Sequence, residues 1–308
     1  MVHGRFLLLC LGTFLVGIYQ AIANYYRYVA ADLFPGHENR AVSIVLSAGV
    51  AAAVAGPVLA TVAATIMTPK YAGSYLLVSA LAACAFLTLL GLPRGVATVG
   101  IVDSQARGQL SDKGEGVGIM TMIRHLLLRP KFIMGASVCF SGCFAMALIM
   151  SGAPLVLEKD LHASDSFRAV AMQTHMIGMY FPMLFLPLMV DRFSQVSQIV
   201  VAFSVGIGGM AIGAINSPLA VLFSLLAIGV AWAVLYGVGS SLLTTSYSAD
   251  ERSVARGVGE LFPVAGLALG SLLAAVIVSA GGWYPLIATA AAAMAGAWLV
   301  VGRLHKAE

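Results

Sequence analysis

Residues 218–245 read PLAVLFSLLAIGVAWAVLYGVGSSLLTT, twenty-eight consecutive residues without a charged side chain. As an α-helix with a rise of about 1.5 Å per residue, this stretch would be about 42 Å long, whereas the hydrocarbon core of a bilayer is about 30 Å thick. It lacks the strict alternation of apolar and polar residues that a membrane β-strand shows. The stretch therefore predicts a helix that crosses a lipid bilayer.

The remainder of the chain has the same character. Of its 308 residues, 60% are hydrophobic and 10% are charged, whereas about 25% are charged in an average soluble domain. So few charges cannot cover the surface of a soluble fold of this length. The net charge of +4 is better explained by basic residues on the cytoplasmic side of a membrane than by a nucleic-acid partner, which we do not expect.

Apolar runs separated by short polar interruptions predict an all-α integral membrane protein with nine spans. The spans lie near 6–31, 41–67, 71–92, 132–157, 169–190, 197–215, 218–245, 257–280 and 284–302. One connecting segment, 93–131, is longer, polar and glycine-rich. It divides the chain into a three-helix segment (1–92), a cytoplasmic linker (93–131) and a six-helix bundle (132–308).

Lysine and arginine are distributed unevenly between the two ends of these spans. If the linker is cytoplasmic, that side of the membrane holds twelve lysines and arginines, including those of the linker itself: Arg40, Arg94, Arg107, Lys113, Arg124, Arg129, Lys131, Arg192, Arg252, Arg256, Arg303 and Lys306. The opposite side holds four: Arg5, Lys70, Lys159 and Arg168. The positive-inside rule then predicts a bacterial-type plasma membrane protein with a cytoplasmic C-terminus and an external N-terminus.

The N-terminal segment is open to a second interpretation. Its basic start, its apolar run and the small residues of Ala21-Ile22-Ala23 are typical of a cleavable signal peptide. The apolar run continues to Ala31, however, and is long enough to span the membrane, which favours a retained helix.

The first two spans contain three notable sequence features: the stretch 12–32 (GTFLVGIYQAIANYYRYVAAD), Arg40-Ala-Val-Ser and Gly56-Pro57. Together they resemble helices four and five of the major facilitator superfamily, and Gly56-Pro57 is similar to the glycine-proline motif of helix five. Thr13 stands where the family usually carries an arginine, and Arg27 lies further along the helix.

Later segments also resemble this family. Arg129-Pro130-Lys-Phe resembles the entry to helix seven, HMIGMYFP at 175–182 resembles helix eight, and Asp191-Arg192-Phe193 resembles the loop after it. The family has twelve helices in two bundles that expose a central cavity alternately, so this chain would supply helices four to twelve. The resemblance therefore implies a permease, and we expect a chain truncated at its N-terminus.

Ionisable and polar residues inside the spans are candidates for function, because burying them in lipid is costly. Gln20, Asn24 and Arg27 lie on one face of the first span and are candidates for the substrate pathway, although Arg27 could instead anchor that helix at the cytoplasmic face. Glu260 is a candidate for proton coupling or an intrahelical partner of Arg256.

His175 is a candidate for proton coupling or a hydrogen-bonded packing residue, and packing is favoured. The methionines at 172, 176, 179 and 183 form a stripe on the same helix, and packing is favoured over soft-metal transport as its interpretation. Cys139 and Cys143 share a helical face, but no further thiol or imidazole is close enough in the sequence to complete a metal site. We expect no metal, no cofactor and no enzyme activity, since nucleotide-binding loops, nucleophile elbows and zinc motifs do not occur.

The predicted function is therefore secondary active transport of a small solute, either uptake or efflux, with proton coupling as one option. A non-transporting membrane remnant or interaction subunit is the alternative. The aromatic and basic residues of the first span would suit a flat or anionic solute, such as the vitamin riboflavin, for which carriers exist in this superfamily: Tyr19, Tyr25, Tyr26, Arg27 and Tyr28.

Overall fold

A computed structural model describes residues 6–34, 38–68, 72–91, 118–185, 188–189, 192–248 and 251–305. In the first two helices some side chains, including that of Arg27, lie outside this description. The chain forms two compact units, Met1–Gly116 and Val117–Glu308. All regular structure in the described residues is helical.

The described residues of the first unit form three helices, α1 (Phe6–Leu33), α2 (Glu38–Ile66) and α3 (Ala72–Leu90). Helix α2 packs against both of the others. Its contact with α3 is close, because a side chain at Gly73 would collide with the Ala63 carbonyl. Beside it, the Ser74 hydroxyl donates a hydrogen bond to the Ala60 carbonyl at 2.9 Å.

In the described residues of the second unit, seven helices of ten or more residues and one short 3₁₀ segment are present. The helices are α4 (Ile119–Leu128), α5 (Pro130–Lys159), α6 (Asp165–Tyr180), α7 (Gln195–Gly213), α8 (Pro218–Thr244), α9 (Arg252–Gly281) and α10 (Trp283–His305); the 3₁₀ segment is Phe181–Leu184.

Helices α5 and α8 form the core of the second unit. Helix α5 packs against α8, α9 and α10, and α8 also packs against α6 and α7. Helices α9 and α10 instead expose large apolar residues, among them Leu261, Leu272 and Leu299 at 65%, 70% and 67%. Apolar side chains directed away from the core are expected where the surrounding solvent is lipid.

Several of the closest helix contacts in the second unit occur at glycines. A Cβ at Gly266 or Gly270 on α9 would lie 2.5 Å from a carbonyl oxygen of α5, at Phe140 and Phe144 respectively. On α7, Gly209 faces Ala227 and Gly213 faces Ser224, both on α8. At Gly266 and Gly270 the two backbones approach more closely than a side chain would allow.

Six helices in the described residues are long and apolar enough to cross a membrane: Ala72–Leu90, Pro130–Lys159, Gln195–Gly213, Pro218–Thr244, Arg252–Gly281 and Trp283–His305. Helices α1 and α2 have 28 and 29 residues and coincide with the first two predicted spans. The all-helical membrane class is confirmed, whereas the count of nine spans stays a prediction.

The predicted span near 169–190 changes helical geometry part-way along. Helix α6 begins at Asp165, after the Ser164 hydroxyl accepts a hydrogen bond from the Phe167 N–H, and ends at Tyr180. A 3₁₀ segment follows. Pro182 has no N–H with which to continue the helical hydrogen bonding, so the α-helical geometry changes there.

The segment 93–131, expected to be a linker, also contains regular structure. Residues 119–128 form helix α4, with Leu126 fully buried against Phe132 and Ala136. The apolar residues of IMTMIRHLLL recur at helical spacing, but the polar, glycine-rich residues before them obscured this pattern. Residues 92–117, which include Lys113, lie outside the described part of the chain.

Candidate functional site

The polar residues predicted to line the substrate pathway belong to the first unit. Gln20 and Asn24 are four residues apart on α1 and share one face of it. Gln20 is exposed and Asn24 is half-buried. On the same helix Tyr19 and Tyr25 are each 43% exposed. Amide and aromatic groups are therefore both available on α1.

His175 lies fully buried between α6 and α8. Its Nδ1 is 2.7 Å from the Leu225 carbonyl oxygen, which can only accept, so Nδ1 is the donor and the neutral ring keeps Nε2 as an acceptor. Nε2 has no hydrogen-bond partner among the residues that the structure describes. The contact joins two helices whose backbones are already close, because a Cβ at Gly229 would lie 2.8 Å from the His175 carbonyl oxygen. This geometry agrees with a packing role.

Glu260 lies half-buried on α9, two turns after the start of that helix. One turn before it, Arg256 is 9% exposed, and its Nε donates to the Tyr247 hydroxyl at 3.2 Å. Because α9 packs mainly on α5 and α6 mainly on α8, the two proton-coupling candidates, Glu260 and His175, have different helical surroundings.

A cluster of aromatic rings in the second unit was not predicted from the sequence. The rings of Trp232 and Tyr236, both on α8, are stacked with centroids 5.2 Å apart and planes 14° apart. The ring of Tyr180 on α6 meets Trp232 edge-on, at 6.3 Å and 74°. The Trp232 indole N–H donates to Cys143 Sγ on α5 at 3.3 Å, which orients the ring plane.

This aromatic cluster combines a rigid inner ring with more accessible outer rings. Trp232 is 8% exposed, whereas Tyr180 and Tyr236 are half-buried. A further flat ring can stack on an exposed face of such a pair. In complexes of aromatic side chains with nucleic-acid bases, each stacked ring contributes about 1–3 kcal/mol to the binding free energy. The cluster can therefore bind a planar aromatic group.

One sequence signal could have identified part of this cluster. Trp232 and Tyr236 are four residues apart in a helix without charged residues, a spacing that places both rings on one face. Tyr180 is distant in the chain, and only the packing of α6 on α8 brings it to Trp232.

Two cysteines and two methionines that the sequence analysis singled out take part in packing within the second unit. Cys139 lies against Gly239 on α8, and Cys143 accepts from the Trp232 indole. Met179 and Met183 are buried at 5% and 1% exposure. No group of three His, Cys, Asp or Glu side chains that could hold a metal ion occurs in the described residues.

A bidentate ion pair joins the start of α5 to the start of α9. The two guanidinium nitrogens of Arg129 each lie 2.7 Å from a carboxylate oxygen of Glu251, and Arg129 also donates to the Ser246 carbonyl at 3.0 Å. These hydrogen bonds from Arg129, followed by those from Ser248, hold the pKa of Glu251 below its ordinary value.

Comparison with known proteins assigns the chain to a family. The sequence model of the Major Facilitator Superfamily matches residues 1–214. The chain is also similar to the Riboflavin transporter RfnT of Brucella anthropi, with 26% identity over 287 residues, which are 90% of this chain and 67% of that protein. No solved structure is significantly similar. Since the family match extends over more than half of the chain, this protein belongs to the Major Facilitator Superfamily.

Proposed function

We propose that this protein is a secondary active transporter that carries a planar aromatic solute, riboflavin or a chemically similar compound, by alternating access. Two findings support the proposal. The chain belongs to a transporter family and is similar to a protein named as a riboflavin transporter. The second unit contains the aromatic cluster of Tyr180, Trp232 and Tyr236, whose stacked pair suits a flat ring system.

The aromatic cluster is the observation that carries the substrate class. Tyr236 is the accessible ring of the stacked pair, and Trp232 behind it is fixed by Cys143. Aromatic pairs prefer offset stacked or edge-to-face arrangements and contribute about 0.5–1.5 kcal/mol beyond the area that they bury. Gln20 and Asn24 on α1 are kept as candidates for the substrate pathway, because their amide groups can both donate and accept hydrogen bonds.

We further propose that proton movement drives transport and that Glu260 is the coupling residue. Its side chain is half-buried on an apolar helix, and ionisable residues inside membrane-spanning segments often mark proton pathways. His175 fits this role less well, since the hydrogen bond to Leu225 already gives it a structural task. The uneven distribution of lysine and arginine between the two ends of the spans supports a cytoplasmic C-terminus in a bacterial-type plasma membrane.

The substrate proposal can be tested with three variants of the aromatic rings. Purified protein is titrated with riboflavin, and binding is followed by quenching of the flavin fluorescence. Loss of one stacked ring in Tyr236→Leu should weaken binding about tenfold, whereas Tyr236→Phe, which keeps the ring, should bind nearly as well as the unmodified protein.

Trp298→Leu provides the matched control. Trp298 on α10 is stacked on Phe203 with centroids 6.5 Å apart, so the same loss of a stacked ring occurs away from the proposed site. Its riboflavin affinity should be unchanged. If the unmodified protein does not quench flavin fluorescence, riboflavin is not its substrate. If Tyr236→Leu and Trp298→Leu bind riboflavin with equal affinity, the aromatic cluster is not the binding site.

A further inference from the structure

The second unit contains an apolar pocket of about 710 Å³, away from the aromatic cluster. Its walls come from four helices: Ile123 and Leu127 on α4, Phe140 on α5, Phe262 on α9, and Gly296 and Val300 on α10. A Cβ at Gly296 would meet no atom within 4 Å, so the pocket is open above α10. One of its two serines, Ser141, donates within its own helix to the Val138 carbonyl at 3.2 Å.

This pocket lies towards one end of the second unit. Its lining residues come from the first four turns of α5 and α9 and the last four turns of α10, and α4 directly precedes α5. At about 1.5 Å per residue, these positions lie within about 20 Å of the helix ends. The pocket therefore spans roughly the depth of one leaflet, about half of a bilayer core of about 30 Å.

Basic side chains lie at that same end. Arg124 follows Ile123 on α4 and is exposed, and Arg303 is exposed one turn beyond Val300 on α10. Helix α4 has the character of a helix at a membrane surface, because Leu126 is fully buried while Arg124 and His125 are exposed.

The occupant is identified by combining these features. Lipid tails are as apolar as the pocket walls, so hydrophobic transfer does not by itself select one occupant of the pocket. Selection must come from shape and from the charge at its end, and two guanidinium groups favour a phosphate-bearing, negatively charged headgroup. We propose that the pocket holds an acyl chain of an anionic phospholipid whose headgroup binds Arg124 and Arg303.

The test uses the full 308-residue chain and two lipids with identical acyl chains. Protein in detergent is incubated with equal amounts of phosphatidylglycerol and phosphatidylcholine, and the lipid that remains bound is counted by native mass spectrometry. The unmodified protein should retain phosphatidylglycerol preferentially. Each basic residue near an anionic lipid contributes about fivefold to binding, so Arg124→Gln and Arg303→Gln should each reduce that preference about fivefold.

Two further variants separate the pocket from general surface charge. Gly296→Phe should fill the open space above α10 and reduce the retention of both lipids. Arg168→Gln changes an arginine in the first turn of α6, which does not line the pocket, and should leave the preference for phosphatidylglycerol unchanged. Equal retention of the two lipids by the unmodified protein, or unchanged retention in Gly296→Phe, would overturn the proposal.

A photoreactive residue at Ala293 identifies what covers the pocket in a membrane. Crosslinking to phosphatidylglycerol in vesicles that contain both lipids supports the proposal. Crosslinking only to another segment of this chain, or to a second copy, would show a protein occupant and overturn it.

Discussion

At the scale of single residues, function depends on what each polar group contacts in the apolar interior. His175 donates a hydrogen bond to the Leu225 carbonyl and thereby links α6 to α8. Glu260 is half-buried on a helix whose outer face is apolar. For this reason Glu260 is the residue at which proton coupling is best tested.

The first prediction concerns Glu260→Gln, which keeps the shape and hydrogen-bonding groups of the side chain but cannot ionise. The variant should still exchange labelled for unlabelled solute across proteoliposome membranes, because exchange requires no net proton movement. Accumulation driven by an imposed pH gradient should be lost. The two assays are measured on the same preparation.

The competing outcome for Glu260 is equally specific. If its task is to support Arg256 within the helix, the substitution should cost about 0.2–0.5 kcal/mol of stability, as for an ordinary helical pair. Accumulation with an unchanged pH profile would then assign Glu260 to structure and remove it as the coupling residue.

The second prediction concerns the pH dependence of the ion pair between Arg129 and Glu251. The folded-state pKa of Glu251 is lowered by its hydrogen bonds with Arg129, so its stabilising contribution is complete above the unfolded pKa of about 4.3. That contribution is lost as the pH falls through the lower folded value. Because the Arg129 side chain is 38% exposed, we expect only about 1 kcal/mol at neutral pH.

The measurement is the thermal unfolding midpoint in detergent at several pH values. Glu251→Gln should lower the midpoint at pH 7 and flatten its decrease in acid. Glu158→Gln is the control, because Glu158 also pairs with an arginine, Arg168, but is 60% exposed. If Glu251→Gln and Glu158→Gln lower the unfolding midpoint by the same amount, the ion pair of Glu251 with Arg129 contributes no more stability than the exposed pair of Glu158 with Arg168.

At the scale of helices, the second unit depends on glycines where backbones meet. Gly266 and Gly270 occupy the contact of α9 with α5, and Gly178 and Gly229 occupy that of α6 with α8. The contact of α6 with α8 brings Tyr180 to Trp232, and the packing of α5 on α8 brings Cys143 within hydrogen-bonding distance of the Trp232 indole. The aromatic cluster is therefore a consequence of how closely the helices pack.

The third prediction compares two glycines on the same helix. Gly266→Ala would place a Cβ 2.5 Å from the Phe140 carbonyl oxygen, and such overpacking costs about 1–3 kcal/mol. For a unit of this size the unfolding midpoint should fall by roughly 2–10 °C. Gly257→Ala, where the Cβ would meet no atom within 4 Å, should not lower it. Equal effects would show that the helix contact does not require glycine.

At the scale of the whole molecule, this member of the Major Facilitator Superfamily is a multi-pass membrane transporter and not an enzyme. Its long helices are apolar on surfaces that face away from the protein core. Their orientation is proposed from the uneven distribution of lysine and arginine, twelve on one side and four on the other.

The fourth prediction tests that orientation. A reporter inserted after Lys113 should be active only in the cytoplasm, and one inserted after His162, in the exposed turn between α5 and α6, only outside. An alkaline phosphatase and a fluorescent protein, active on opposite sides of the membrane, are compared at both positions. External activity after Lys113 would reverse the assignment of sides and with it the cytoplasmic C-terminus.

The sequence by itself determined the class of the protein and the positions of most of its helices. Residues 218–245, for example, predicted a membrane-spanning helix, and the structure places a helix at Pro218–Thr244. This succeeds because lipid acts on each segment separately: every backbone polar group must be satisfied within its own helix.

Only the tertiary structure decided which side chains meet. It joined His175 to Leu225, Arg129 to Glu251, and Tyr180 to Trp232. Uniformly apolar helices carry little periodic information about which face is turned inward. Since lipid tails are as apolar as the helix surfaces, close packing and a few polar contacts select the partners instead, and these depend on residues far apart in the chain.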